Sequence, residues 1–379
     1  MVLLNVCLDN FYAFKNFHMS LTYPKKIVGS SIKNEYLADR PNFRYKKVNV
    51  IMGANASGKT TFGRMLMKIF NFMDKRDYER ITNAISDSSK EASFMLDMAS
   101  KHSIFYRVIC TITPREGDKY STKNIRLEVR QEDILAKDSY ESCVKRINDA
   151  QYTPEENYVE ELEKMGALDW LFEFPMDARR SLSLPNKDEK FRLVLENILK
   201  ALDPSIQKVE ISRDVESAYV IRHQDKPIIL QDGDRLDNDL LSSGTKAGVE
   251  IAQVVSSLMQ KHYTFYYCDE KFSYIHSDIE KAILTLMIEY LRSTDQLFFT
   301  THNTDILDLP LPKHSFTFLR KDVNDIDYPI TCVDASAFLK RSTDSLKNAV
   351  ENDLFSCAPA VELIYTIAEP ENRSDSDEK

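Results

Sequence analysis

The segment GANASGKT (53–60) constrains this 379-residue chain more than any other feature. It matches G-x-x-x-x-G-K-[ST]. Before it stands an apolar run, VNVIM (48–52), and after it Phe62, Met65, Leu66, Ile69, Phe70 and Met73 recur at helical spacing. Strand, glycine loop and helix in that order make a phosphate cradle. Gly53 and Gly58 let the backbone of Ala54, Asn55, Ala56 and Ser57 turn its N–H groups inward onto phosphate oxygens. Lys59 places a point charge on the β- and γ-phosphates, and Thr60, followed by Thr61 at the helix start, offers a hydroxyl to Mg²⁺. A chance match in a chain of this composition is on the order of a few in a thousand. Glycine is scarce, nine in all, and five of the nine are Gly53, Gly58, Gly63, Gly244 and Gly248. A chain this sparing needs its glycines where they cluster.

Three further segments carry candidate chemistry. FYYCDE (265–270) is an apolar strand ending in two acids. Asp269 can join the Mg²⁺ shell, and Glu270 can orient or deprotonate a water. Solvated acids at a strand end fit this segment alone equally well. LFFTTHN (297–303) ends another apolar strand with His302 at its tip. Neighbouring strand tips of an α/β sheet face one crevice, so His302 can hydrogen-bond the γ-phosphate or the water there. LLSSGTKAGVE (240–250) sets Ser242, Ser243 and Gly244 before a helix that Ser243 or Thr245 could cap. A helix dipole contributes only about 0.3–1 kcal/mol, so this segment matters only if it completes a site geometrically.

The rest of the chain reads as a globular α/β protein. Hydrophobic residues make up 43% and no apolar run nears about 18 residues, which excludes bulk disorder and a membrane helix. The N-terminus lacks a basic region before its apolar stretch, so no signal peptide is expected and the reading is cytoplasmic. Cys7, Cys110, Cys143, Cys268, Cys332 and Cys357 show no C-x-x-C pair and read as scattered thiols rather than a zinc site. The first 20 residues read as a strand pair, and 92–130 alternates as an antiparallel sheet. Residues 131–200 are charged, lack β-rich runs and heptads, and read as a helical insertion. After 201, strands (208–212, 218–222, 265–268, 297–300 and near 316–319) alternate with helices (246–260 and 278–292), which predicts a mainly parallel sheet. The expected division is therefore 1–130 and 201–369 as two parts of one core, 131–200 inserted, and 370–379 (ENRSDSDEK after Pro370) as a disordered tail.

The order of phosphate loop, Ser-Gly segment, acidic strand and histidine resembles the ABC-type ATPases, over most of the chain. Within them it is similar to the soluble branch with SMC-like and RecF-like heads. Within that branch it looks like the compact ATPases of prokaryotic anti-phage and abortive-infection systems, including the ATPase lobe of OLD-family proteins and the ATPases of Septu- and PARIS-type systems. Asn10, Phe11 and Phe14 look like this branch's opening, and LKNAVENDLFSCAP (346–359) like its close. The resemblance implies that Ser242 and Gly244 reach the γ-phosphate bound to another subunit. Ser243 stands where the family has its first signature glycine, and Thr245 replaces the usual Gln or Glu. Ser273, Tyr274, Ile275 and His276 match the family's D-loop, with His276 in place of Asp. Only 77 residues follow His302, too few for a Toprim nuclease like that of OLD proteins, so a nuclease is expected on a separate chain.

The resemblance implies ATP and Mg²⁺ as cofactors and a homodimer, or a higher oligomer built from it, closed around two ATP molecules. The first functional expectation is an ATPase that regulates a separate effector, a nuclease, in anti-phage defence. The alternative is a RecF- or SMC-like DNA-repair ATPase binding nucleic acid directly. Lys25, Lys26, Arg40, Arg44, Lys46 and Lys47 could form its groove, although a solvated loop is the favoured reading of that cluster and the net charge of −9 argues against a constitutive nucleic-acid coat. A transporter's nucleotide-binding subunit fits poorly, because the antiparallel insert and the closing segment look wrong for it.

Overall fold

VNVIM enters the middle of a six-stranded sheet, with all five residues of Val48–Met52 buried. The order across the sheet is Ile330–Asp334, Phe316–Lys321, Val48–Met52, Gln296–Thr300, Phe265–Asp269 and Trp170–Glu173. Every neighbouring pair is parallel except the first, where Ile330–Asp334 runs back along the edge. In this computed structural model the described residues are 1–27, 29–115, 117–175, 181–224, 226–235, 241–341, 344–357 and 364.

The period of two splits the sheet's side chains between two cores. Ile51, Phe265, Tyr267, Phe298 and Leu319 face the helix Lys59–Lys75, which buries Phe62, Met65, Leu66, Ile69 and Phe70 against them. Val48, Val50, Tyr266, Cys268, Leu297 and Phe299 face the other way, toward helices Ser243–Met259, Ser277–Tyr290 and Glu189–Leu202. With both faces covered, the central strands carry unbroken apolar runs rather than alternation.

The far side of Lys59–Lys75 is covered by a five-stranded antiparallel sheet, ordered Phe17–Ser20, Val2–Asp9, Ala92–Ala99, Ile104–Ile112 and Ile125–Asp133. The N-terminal strand pair and the 92–130 region, which sequence treats separately, are thus one sheet. Asp97 and Arg107 pair across it through two hydrogen bonds of 2.7 and 2.8 Å, and the Tyr140 hydroxyl donates to Asp97 (2.6 Å).

Three expectations need correction. The 131–200 stretch does hold helices Tyr140–Asp149, Tyr158–Glu163 and Glu189–Leu202, yet Trp170–Glu173 is a strand of the core sheet. Four residues are too few to show a period. What makes WLFE a strand is packing: the Phe172 ring lies 5.6 Å from Phe70, 5.5 Å from Phe265 and 5.6 Å from Tyr267. Second, the strands near 208 and 218 do not join the parallel sheet. Ile206–Ile211, Ala218–His223 and an unanticipated Pro227–Gln231 form their own antiparallel meander.

Third, two of the six residues of the basic cluster are withdrawn from the surface. Lys46 and Lys47 are 1% and 2% exposed. Lys46 pairs with Asp334, and Lys47 donates to the carbonyls of Lys33 (3.0 Å) and Leu291 (3.1 Å). They flank the buried central strand, so their stems run inward with it.

All six cysteines are free thiols. Helix Leu346–Glu351 begins the closing segment, and Phe355 stacks on Phe318 at 4.0 Å. Residues 358–359 of that segment, Leu240 and the tail 370–379 lie outside the described residues. Among the described residues no helix is long and apolar enough to cross a membrane.

Candidate functional site

The loop 53–58 leaves the central strand with φ of 149° at Gly53, 62° at Ala56 and 105° at Gly58. Side chains resist such angles. A Cβ on Gly53 would also stand 2.4 Å from the Leu319 carbonyl oxygen and 2.7 Å from Ser57 Oγ. The Ser57 hydroxyl is buried and unbonded. Lys59 Nζ curls back to donate to the carbonyls of Gly53 (2.8 Å) and Ala54 (3.2 Å). Burial pushes the Lys59 ammonium's pKa down, and the charges of Glu270 and Asp269 pull it back up.

The neighbouring strand tips deliver the other candidates. Asp269 and Thr300 are register partners on adjacent parallel strands. Thr300 Oγ1 donates to Asp269 Oδ1 (2.7 Å), and the Glu270 N–H donates to Thr300 O (3.1 Å) and Oγ1 (3.0 Å). Glu270 therefore turns out of the strand with φ 44°, a left-handed conformation costing about 1–3 kcal/mol at a non-glycine residue. That turn aims its carboxylate at His302 Nε2 (2.8 Å) and to within 3.6 Å of Lys59 Nζ. Lys59 Nζ also lies 3.5 Å from His302 Nδ1. The tautomer carrying its proton on Nε2 satisfies both contacts of the imidazole.

Asp269 is fully buried, and its Oδ2 is unbonded. Burial pushes its pKa up, the Thr60 and Thr300 hydroxyls beside it pull it down, and the Glu270 charge adds to the rise. A buried carboxylate oxygen without a partner, next to the Thr60 hydroxyl, is a donor set that suits a hard cation such as Mg²⁺.

The raised pKa has a consequence for stability. The ionised Asp269 carboxyl weakens the fold increasingly as pH rises from the ordinary carboxylate range through the raised value. Asp269→Asn removes it. The variant, without nucleotide, is expected to melt higher than wild type at pH 7, with the gap narrowing toward pH 4. Equal melting temperatures at pH 7 would refute this.

A cavity of about 400 Å³ opens over the loop, lined by Asn55 to Thr61, Glu270 and His302, with Ala13, Lys321 and Ile330 completing its walls. A second cavity, about 660 Å³ and largely apolar, flanks Gly53, Ala54 and Asn55 on the His302 side and reaches Phe318, Phe355 and Cys357. A roomier groove (750 Å³) beside helix Glu189–Leu202 is far less suited to an anion. Its Arg192, Lys208, Arg213 and Arg222 are offset by Glu189, Glu196, Glu210 and Asp214.

The fold thus gathers Gly53 to Thr61, Asp269, Glu270 and His302, but not Ser242, Ser243 and Gly244, which line neither cavity at the loop. Helix Ser243–Met259 starts earlier than its apolar spacing suggests. Ser242 caps it, rather than Ser243 or Thr245, by accepting from the Thr245 N–H (3.1 Å). Its first turn rests on the turn after Glu270: a Cβ on Gly244 would be 3.0 Å from the Tyr274 carbonyl oxygen. His276 caps the next helix through Nδ1, accepting from the Asp278 N–H (3.2 Å).

Sequence reasoning passed over Thr300, which ties Asp269 and Glu270 together. The parallel register would have revealed it. It also passed over Tyr267, whose hydroxyl donates to the Lys59 carbonyl (2.8 Å).

This is the ABC-type P-loop ATPase fold: a mainly parallel core sheet with an antiparallel β subdomain and helical additions. Its structural neighbours are SMC head domains and RecF. The Smc head bound to the C-terminal winged-helix domain of ScpA aligns over 89% of this chain and 100% of its own, with TM-score 0.50 and 13% identity. An Smc head with an extended coiled coil, bound to the ScpA C-terminal domain and derived from Pyrococcus furiosus, covers 89% and 98%, with TM-score 0.47 and 12% identity. The recombination mediator RecF-ATPrS covers 87% and 98%, with TM-score 0.44 and 11% identity. At 13% identity the first of these likenesses speaks for the fold alone. No protein-family profile matches the sequence, and no curated protein matches it significantly.

Proposed function

We propose that this chain binds ATP at the 53–60 loop and hydrolyses it within a homodimer, and that this cycle holds or releases a separate effector, a nuclease, in anti-phage defence. The observation that carries the ATPase reading is the meeting of Lys59, Glu270 and His302 over the loop, with Asp269 Oδ2 unbonded beneath them. Thr60 and Asp269 would hold Mg²⁺, which neutralises phosphate charge when bound. Lys59 exchanges its two loop carbonyls for phosphate oxygens. Glu270 lines the cavity as a proton acceptor for a water, and His302 orients that carboxylate through its Nε2–H.

The dimer follows from what the single chain leaves apart. The capped helix end at Ser242 to Gly244 lines neither cavity at the chain's own loop, and by the motif resemblance a second copy would bring it there. The defence role rests on the motif resemblance. The burial of Lys46 and Lys47 removes two of the six basic residues that direct DNA binding would use.

Light scattering tests the reading. Glu270→Gln keeps binding but removes the proton acceptor, so the mass is expected to double with Mg·ATP and to stay monomeric once Lys59→Ala is added. A mass indifferent to ATP overturns the composite site.

A further inference from the structure

Lys271 follows Glu270 directly but points into the protein. It is 2% exposed, and its Nζ donates to the Phe174 carbonyl (2.9 Å), binds the Glu250 carboxylate and lies 3.3 Å from Glu173 Oε2. Three elements therefore meet on one ammonium. Glu173 ends the edge strand of the core sheet and Phe174 follows it, and Glu250 lies two turns into the helix that Ser242 caps. Glu173 and Glu250 are themselves buried.

A buried cation between two carboxylates is a poor way to stabilise a fold, because desolvation consumes most of the attraction. What such a cluster does is fix geometry. Glu270 is where that geometry matters. Its N–H side is anchored on Thr300. On its other side the chain is set by Lys271 and by Ser273 Oγ donating to the Glu270 carbonyl (2.8 Å). A residue held at φ 44° swings its side chain with any rotation at that junction.

We propose that Lys271 is a positioning residue. It ties the Ser242-capped helix and the Trp170–Glu173 strand to the turn that aims Glu270, so that displacement of the helix end by a second copy is passed to the carboxylate at the loop. The inference rests on the composite-site reading above. It adds the link by which docking of Ser242 to Gly244 in one active site is felt at the Glu270 of the same chain, which serves the other.

The test compares wild type with Lys271→Met and with a triple variant, Lys271→Met, Glu173→Leu and Glu250→Leu. The triple variant replaces the cluster by apolar side chains, a change buried ion clusters often tolerate without loss of stability. It covers the case in which the single variant fails to fold. ATP-driven mass and KM for ATP are expected to hold within about threefold. The turnover number is expected to fall about 10²-fold, the size of a 1 Å misplacement. Lys271→Arg, which keeps a cation, is expected to recover part of it. A merely structural role would not separate turnover from KM and dimerisation. A folded, dimerising triple variant with wild-type turnover overturns the positioning role and leaves the composite site standing. A wild type whose mass does not respond to Mg·ATP overturns the composite site and the positioning role with it.

Discussion

Replacing Glu270 by Gln is expected to lower ATP turnover by about 10²–10⁴-fold, the range that a positioned proton acceptor supplies. ATP affinity should stay within about threefold, because in the proposed site the phosphates rest on Lys59 and the loop amides rather than on Glu270. The geometry makes the expectation specific. The carboxylate stands 2.8 Å from His302 Nε2 and 3.6 Å from Lys59 Nζ, on a backbone turned left-handed at φ 44°. Glutamine keeps shape and volume, so a loss would report the missing proton acceptor and not a collapsed site. His302→Asn should lose less, since the imidazole acts through Glu270. Single-turnover measurement with saturating Mg·ATP decides it. Glu270→Gln turning over within threefold of wild type would remove Glu270 from the chemistry.

Gly244→Asp is expected to lower turnover by about 10²–10³-fold, the loss seen when one donor to a developing anion is removed. Nucleotide binding by the monomer should be nearly intact. Gly244 lies in the first turn of helix Ser243–Met259 and lines neither cavity at the loop, so nothing it touches in its own chain binds the nucleotide. An acid in a helix's first turn ordinarily favours the helix by about 0.3–1 kcal/mol. The new Cβ, 3.0 Å from the Tyr274 carbonyl, asks only for a small shift. Unfolding is therefore a poor account of the expected loss. A carboxylate aimed at the γ-phosphate on a second copy is a good one. Mixing Gly244→Asp with Lys59→Ala sharpens the result. In the mixed dimer one composite site loses both partners and the other keeps both, so turnover should partly return. Wild-type turnover in Gly244→Asp alone would sink the shared site.

How much of this was legible beforehand follows physical range. The loop glycines, Lys59 and Thr60 are adjacent in sequence, and their geometry is local. Backbone sterics at Gly53 and Gly58 act within a few residues, so the motif and its helix could be read directly. The same holds for the strand tips, because a buried strand has to be apolar and has to end where polar residues begin. Phe265–Asp269 and Gln296–Thr300 stop where the acids and the threonines stand.

What escaped depends on register and on packing between distant segments. Trp170–Glu173 is a strand because Phe70, Phe265 and Tyr267 surround Phe172, not because four residues prefer extension. Lys46 and Lys47 look like surface charge in any window of sequence, and only their flanking position on the central strand sends them inside.

By itself, then, the sequence determined the phosphate loop, the alternation that builds a mainly parallel sheet, and the identity of the acids and the histidine at the strand ends. These follow from short-range sterics and from the period of buried apolar residues. Only the tertiary structure decided that Thr300 would bind both Asp269 and the Glu270 backbone, that Lys271 would join three elements beneath the site, and that Ser242 to Gly244 would line neither cavity at their own loop. Those are contacts between residues tens to hundreds of positions apart, and no local preference of the chain encodes them.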